Sequence, residues 1–196
     1  MGDTMDFKDV IFARRSIRRY RQEIVVDEDL RQLIEFARVA PAATNAQRLR
    51  LTVIRKTELV EKIFALTRWA GAVAPRRTPV WGKDAPLCFI ALTAKKEQLN
   101  SSLYADAGAV AQNLMLGAVS LGLGTCWIGS FDKEEAHSLL ELPEDTEVFY
   151  LISVGYPAES PVWEDAASAD QVKYYLDEND LLHVPKLTAD DLAAWK

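Results

Sequence analysis

Helix-spaced and strand-like segments alternate along the whole 196-residue chain, which predicts one α+β domain with a mixed central sheet flanked by helices. Two further observations support that class. Apolar runs of strand length at 87–93 and 147–154 read as buried central strands. The chain also holds no Gly/Ser linker, repeat or low-complexity block that would divide it, and 49% hydrophobic with 27% charged residues suits an ordinary globular core.

Residues 6–14 read as a short amphipathic helix with Phe7, Val10 and Ile11 on one side. Asp27 is a candidate N-cap for a helix over 28–38, where Leu30, Leu33, Ile34 and Ala37 follow helical spacing, and Pro41 stops it. A loop of small residues then covers 40–47, ending in the amides Asn45 and Gln47. With so little side-chain bulk, its backbone is open to close approach by something flat. Residues 49–54 predict a strand and 58–69 a helix. Over 71–84 the pattern collapses among Pro75, Pro79, Trp81, Gly82 and three basic residues, as in a mobile lid or a plain surface excursion.

The longest regular element covers 104–121, and its small residues (Ala105, Ala107, Gly108, Ala109, Ala111, Gly117, Ala118) suit the centre of the fold or a subunit interface. Gly122 and Gly124 end it and turn the chain into a strand over 125–128. Following a helix and leading into a strand, they are the reverse of a dinucleotide-binding turn. Asp132 with Glu135 starts a helix through Leu140, and the 147–154 strand closes at Gly155-Tyr156-Pro157. Beyond it, 159–180 is acidic and weakly patterned, and Thr188 with Asp191 caps a last short helix. The expected organisation is a single domain over 1–196, with a lid at 71–84 and an acidic insertion or C-terminal extension over 159–196.

Against a net charge of -6, five arginines fall within the eight residues 14–21. A helix would pair Arg14 with Arg18 and Arg15 with Arg19; an extended segment would set Arg14, Ser16, Arg18 and Tyr20 on one side. In the extended case two guanidinium forks and a rotatable hydroxyl converge as donors for a phosphate. In the other case the stretch is a solvated charged turn. Spacing alone leaves both open.

Other chemistries find little support. Cys88 and Cys126 sit in apolar stretches and read as buried, inert thiols. His137 and His183 are isolated, and there is no HExxH, CxxC or GxSxG to supply metal ligands or a nucleophile. Any chemistry is then expected to come from a bound cofactor. No apolar run approaches the ~20 residues of a membrane span, and Asp3 and Asp6 stand where a leader is basic and a myristoylation site has Ser or Thr. The expectation is a cytoplasmic protein with no membrane partner. The acidic total, without a wider basic face, weighs against a nucleic-acid partner.

Several distant segments together match one pattern. Residues 14–20, the loop Ala40-Pro41-Ala42-Ala43-Thr44-Asn45-Ala46-Gln47, the run 106–114 leading into Gly122-Leu123-Gly124-Thr125-Cys126-Trp127-Ile128-Gly129, and the Val154-Gly155-Tyr156-Pro157 strand end resemble, in order and spacing, the nitroreductase family of FMN-dependent oxidoreductases. The resemblance covers about 6–157. It implies an α+β homodimer with FMN at the subunit interface and NADH or NADPH as electron donor. It implies that Arg14, Ser16 and Arg18, with Arg15 nearby, reach the flavin's phosphate, ribityl and pyrimidine groups. Pro41, Ala42, Ala43 and Asn45, with Gln47, would lie against the ring from the other subunit, and Trp127, Ile128 and Gly129 beside it, where a backbone N–H faces flavin N5. Two departures stand out. Arg48-Leu49 replaces the usual Pro-Trp, and Trp163-Glu164-Asp165 stands where a basic phosphate clamp is usual, which leaves Lys186 as the clamp candidate.

The implied activity is a ping-pong cycle. Hydride passes from NAD(P)H to flavin N5 and then to a flat, electron-poor small molecule such as a nitroaromatic or quinone, with no side-chain acid or base required. Arg18 at the pyrimidine edge would stabilise negative charge on reduction. Trp69 and the 71–84 segment with Trp81 would wall the substrate side or simply pack. The alternatives are a specialised flavoenzyme on the same scaffold, reductive dehalogenase or flavin-fragmenting, and a flavin-binding protein without turnover.

Overall fold

The structure is a computed structural model that describes residues 5–196; the start at 1–4, read above for a leader or an acylation signal, lies outside the described residues. The elements follow the expected order. They are α1 (Phe7–Ala13), α2 (Asp27–Arg38), β1 (Arg50–Ile54), α3 (Thr57–Leu66), β2 (Cys88–Lys95), α4 (Ser101–Ser120), β3 (Gly124–Ile128), α5 (Lys133–Leu139), β4 (Thr146–Gly155), β5 (Val162–Asp165), β6 (Tyr175–Leu176), β7 (Leu182–Lys186) and α6 (Ala189–Leu192).

The fold is α+β as predicted, with one difference in the sheet. Its central four strands, ordered β1-β2-β4-β3, pair antiparallel throughout. β2 and β3, joined through α4, do run in the same direction, but β4 inserts between them and pairs antiparallel to both. Parallel pairing is left to the Ser16–Thr125 bridge beside β3 and to β5 against β7 in a second, small sheet ordered β5-β7-β6.

Strand alternation builds a core on each face of the central sheet. Ile90 and Leu92 of β2, with Phe149, Ile152 and Val154 of β4, meet Leu33 and Ala37 of α2 and Leu103, Ala107, Ala111 and Leu114 of α4. Phe89, Ala91 and Leu151 point the other way, with Cys126 and Ile128, onto Val60 and Ile63 of α3 and Ala136 of α5. Both cysteines are buried, and burial pushes the Cys88 thiol up to about 12, which keeps it unreactive. No helix among the described residues is long and apolar enough to cross a membrane.

Several ends differ from the sequence reading. α2 begins at Asp27 itself, with Val26 in the capping position and no side-chain cap, because the Asp27 carboxylate is engaged by Arg55. α3 ends at Leu66, and Trp69 is buried beyond it with its indole N–H on Thr67 Oγ1 at 2.7 Å. α4 starts at Ser101, capped by the Asn100 side chain. Asp132 accepts from the Glu135 N–H, and Thr188 with Asp191 forms a reciprocal capping box.

Candidate functional site

Residues 14–20 run extended along the edge of β3, and burial explains why. Ser16 bridges Thr125 in parallel register, and the Ile17 N–H donates to the Thr125 carbonyl at 2.8 Å. Ile17 and Tyr20 turn into the core at 6% and 1% exposure. Both seats need glycine beneath them: a Cβ on Gly124 would stand 2.7 Å from the Ile17 side chain, and one on Gly155 2.8 Å from the Tyr20 ring. Deep in the core, the Tyr20 hydroxyl meets the Ile17 carbonyl and Ser153 Oγ. Tyr20 is therefore an anchor of the fold and not a companion of the arginines.

The arginines divide into two kinds. Arg14, Arg15 and Arg18 are half-buried, and among the described residues none has a carboxylate within 4.0 Å. Arg15 lies 5.9 Å over the Trp163 ring and donates to the Arg14 carbonyl, and its Nε is buried with no acceptor. Arg18 lies 5.4 Å over Tyr174 and reaches the Ser16 carbonyl at 3.4 Å. Burial pushes the Arg14 and Arg15 guanidiniums below their usual value, with Arg14's charge adding to the effect at Arg15; both stay protonated at neutral pH. Arg19 and Arg21 behave differently. Arg19 pairs with Asp84 and Asp180, and Arg21 pairs with Glu23 and stacks 5.0 Å over Tyr156.

The loop at 40–47 is held another way. Pro41, Ala43, Asn45 and Gln47 are exposed and Ala42 half-buried, while Thr44, Asn45 and Gln47 adopt positive φ without being glycine. One side chain fixes it: Asp106 of α4 accepts from the Ala43 N–H at 2.8 Å and from Arg48 at 2.9 Å. Burial opposes the Asp106 charge, but these two donors outweigh it and hold the carboxyl below its usual range. Arg48, which departs from the expected Pro-Trp, thus ties the loop's exit to α4, and it also reaches Ser102 Oγ at 2.9 Å.

At the end of β3, Trp127 packs edge-to-face on Tyr150 with ring centres 4.9 Å apart, and Ile128 is buried in the α3/α5 core. Only Gly129 is exposed there, beside the Tyr150 ring. Lys186 closes β7, exposed and in register with Asp165, and no described hydrogen bond or ion pair of its side chain links it to the arginine stretch.

Within one chain the structure brings the arginine stretch to β3 but not to the loop. A cavity of about 230 Å³ is lined by Arg15, Ile17, Gly124 and Glu159 together with Val119 of α4, and another of about 270 Å³ by Ala42, Gln47, Arg48 and Asp106. Asp106 and Val119 lie about 20 Å apart along the helix at 1.5 Å per residue.

Three side chains that hold these two stretches in place escaped the sequence reading, Asp106, Arg77 and Glu159, and Arg48 was read there only as a departure from Pro-Trp. Asp106 had a signal, being the only charge in the small-residue run 104–121. Arg77 and Glu159 had none, because they meet only in three dimensions, from a segment read as a lid or a surface excursion and one read as acidic and weakly patterned.

Comparison with known proteins agrees with this architecture. The Nitroreductase family profile matches residues 11–156. A chain of Methanothermobacter thermautotrophicus, whose name carries the words NAD(P)H nitroreductase, is 31% identical over 173 residues, covering 86% of each chain. The FMN reductase [NAD(P)H] of Bacillus subtilis is 31% identical over 184 residues, covering 85% of this chain and 73% of its own. A crystal structure of a nitroreductase family protein from Clostridium novyi superposes with a TM-score of 0.68 at 24% identity, over 80% of this chain and 87% of its own. An extended arginine stretch seated on β3, a side-chain-poor loop and a profile match across most of the chain place this protein in the nitroreductase family.

Proposed function

We propose that the chain is a cytoplasmic, homodimeric FMN-dependent oxidoreductase that takes electrons from NADH or NADPH and passes them to a flat, electron-poor small molecule such as a nitroaromatic or quinone. One observation carries the proposal. Among the described residues, the three half-buried guanidiniums beside Ser16 have no carboxylate within 4.0 Å, unlike Arg19, Arg48 and Arg77. That donor set fits a phosphate, since buried cations are otherwise paired. The names of relatives support the same cofactor, among them the FMN reductase of Bacillus subtilis and the NADPH-flavin oxidoreductase of Vibrio harveyi.

On this reading Arg14 and Ser16 hold the phosphate with Arg15 beside them, and Arg18 faces the polar edge of the ring. Bound FMN supplies the redox chemistry, accepting hydride from the nicotinamide and releasing it to the acceptor. The positive charge of Arg18 favours the reduced, more negative ring. Pro41, Ala42, Ala43 and Asn45, with Gln47, offer a flat backbone surface, and the strand end at Trp127, Ile128 and Gly129 offers main-chain groups. Because the loop and the arginine stretch of one chain meet α4 about 20 Å apart, the loop of a second copy completes the site.

The test is a flavin titration. Purified protein is expected to bind FMN with a visible absorbance band that NADH or NADPH bleaches and a quinone or nitroaromatic restores. Arg14→Ala is expected to weaken FMN binding by about 2–5 kcal/mol, the range for truncating one partner of a buried charge pair. Protein that takes up no FMN overturns the reading, and flavin that NAD(P)H leaves oxidised reduces the protein to a carrier.

A further inference from the structure

The backbone N–H groups of residues 17–21 are satisfied by four acceptor residues. The Ile17 N–H goes to Thr125, that of Tyr20 to the Asp84 carbonyl and that of Arg21 to the Tyr156 carbonyl. The two between, Arg18 and Arg19, both donate to one carboxylate oxygen, Glu159 Oε1, at 2.5 and 3.2 Å. The other oxygen, Oε2, accepts from Arg77 at 2.9 Å. Both partners of that ion pair are nearly sealed from solvent, with side-chain exposures of 4% for Glu159 and 7% for Arg77. Arg77 belongs to the 71–84 segment, and its Nη2 reaches the carbonyl and carboxylate of Asp180.

We propose that Glu159 is a positioning residue for the cofactor site: by holding the Arg18 and Arg19 amides it sets where the Arg18 guanidinium stands, and the ion pair from Arg77 to its other oxygen fixes the carboxylate in place. This rests on the reading of residues 14–18 as the FMN wall. A carboxylate sealed beneath an anion-binding wall would repel the ligand if it were left bare; paired to Arg77, it contributes acceptors without net charge. The arrangement also makes the 71–84 segment part of the same unit, since the counter-charge of the positioning acid comes from it. The competing account gives Glu159 no role except as counter-ion to Arg77.

Glu159→Gln separates the two, because the amide keeps an oxygen for the Arg18 and Arg19 N–H groups and loses the charge. FMN affinity is expected to fall about tenfold or more in Glu159→Ala, as when hydrogen bonds to a charged group are removed, and to stay within about threefold of wild type in Glu159→Gln. Amide exchange at Arg18 and Arg19 should rise in the alanine variant alone. Equal affinities in the two variants, or wild-type affinity in Glu159→Ala, overturn the proposal. If Glu159→Ala does not fold, the same comparison is made between Arg77→Met/Glu159→Ala and Arg77→Met/Glu159→Gln, in which no unpaired buried charge remains. Should the wild type bind no FMN, the functional reading falls alone. Exchange at Arg18 and Arg19 then decides the positioning role, supporting it if glutamine protects where alanine does not and rejecting it if the two exchange alike.

Discussion

The two walls of the proposed site are built on the same device and differ in everything around it. Each has a backbone stretch whose amides are taken by a buried carboxylate, and each carboxylate is paired with an arginine: Glu159 with Arg77 under residues 18–19, Asp106 with Arg48 under Ala43. The arginine wall has more besides. Ile17 and Tyr20 are sunk into the core over Gly124 and Gly155, and Ser16 extends the sheet. Between Pro41 and Gln47 no residue is buried, and three non-glycine residues sit at positive φ. One wall is therefore part of the global fold, while the other is tied to α4 through Asp106 and Arg48. A wall of the first kind presents fixed charges; one of the second kind can adjust to a ring and to a second chain.

The largest effect should come from breaking the anchored wall. Tyr20→Ala removes a fully buried ring and its contact with Ser153, and is expected to cost about 3–5 kcal/mol of global stability in a denaturant melt. A cost below about 1 kcal/mol would mean that the arginine stretch is laid on the fold and not built into it. Asp106→Ala should do less to the whole molecule, about 1–3 kcal/mol, and more to one place. Amide exchange over 40–48 should rise sharply while 14–20 stays protected. If both regions loosen together, the contrast between them fails.

These differences show what could be read from the chain and what could not. The elements of the central sheet were legible because burial leaves a pattern in the residues: a helix buried on one face carries a period of 3.6, and β2 and β4, buried on both faces, read as continuous apolar runs. The arginine stretch was visible as a reversal of charge and the loop as a lack of bulk, which are local properties. What holds them was not. Arg77 and Glu159 are 82 positions apart in the chain, and each looks like an exposed charge until the fold seals them together. The antiparallel order of the sheet was hidden for the same reason: that β4 enters between β2 and β3 is decided by packing and not by either strand's own sequence. The small sheet β5-β7-β6 left only an acidic, weakly patterned trace, since its strands are short and only Leu182 and Pro185 in them are buried.

That small sheet gives the smallest predicted effect and the sharpest way to separate the two walls. It adjoins the arginine side, where Trp163 of β5 stacks on Phe12 and lies under Arg15. It is clasped by His183 of β7, whose Nδ1 meets Glu164 at 2.9 Å, whose Nε2 lies 3.5 Å from Asp177, and whose ring stacks on Tyr175. The Glu164 hydrogen bond, with Asp177 behind it, outweighs partial burial and raises the His183 pKa above 6.5; the same bond, with Tyr175, lowers that of Glu164 below 4.5. A raised histidine stabilises fully below its unfolded value and loses the contribution as pH rises through the folded one. A depressed carboxylate stabilises above its unfolded value and loses it as pH falls. As pH rises from about 6 through the raised pKa of His183, that ring loses its charge, while Asp106, held below the usual carboxylate range, stays ionised. Exchange corrected for intrinsic rate should therefore quicken over 162–186 on raising the pH across that window, and remain constant over 40–48. His183→Gln should remove the pH dependence from the small sheet. A loop that loosened in step with the small sheet would show that the two walls share one support, and the division drawn between them would have to be abandoned.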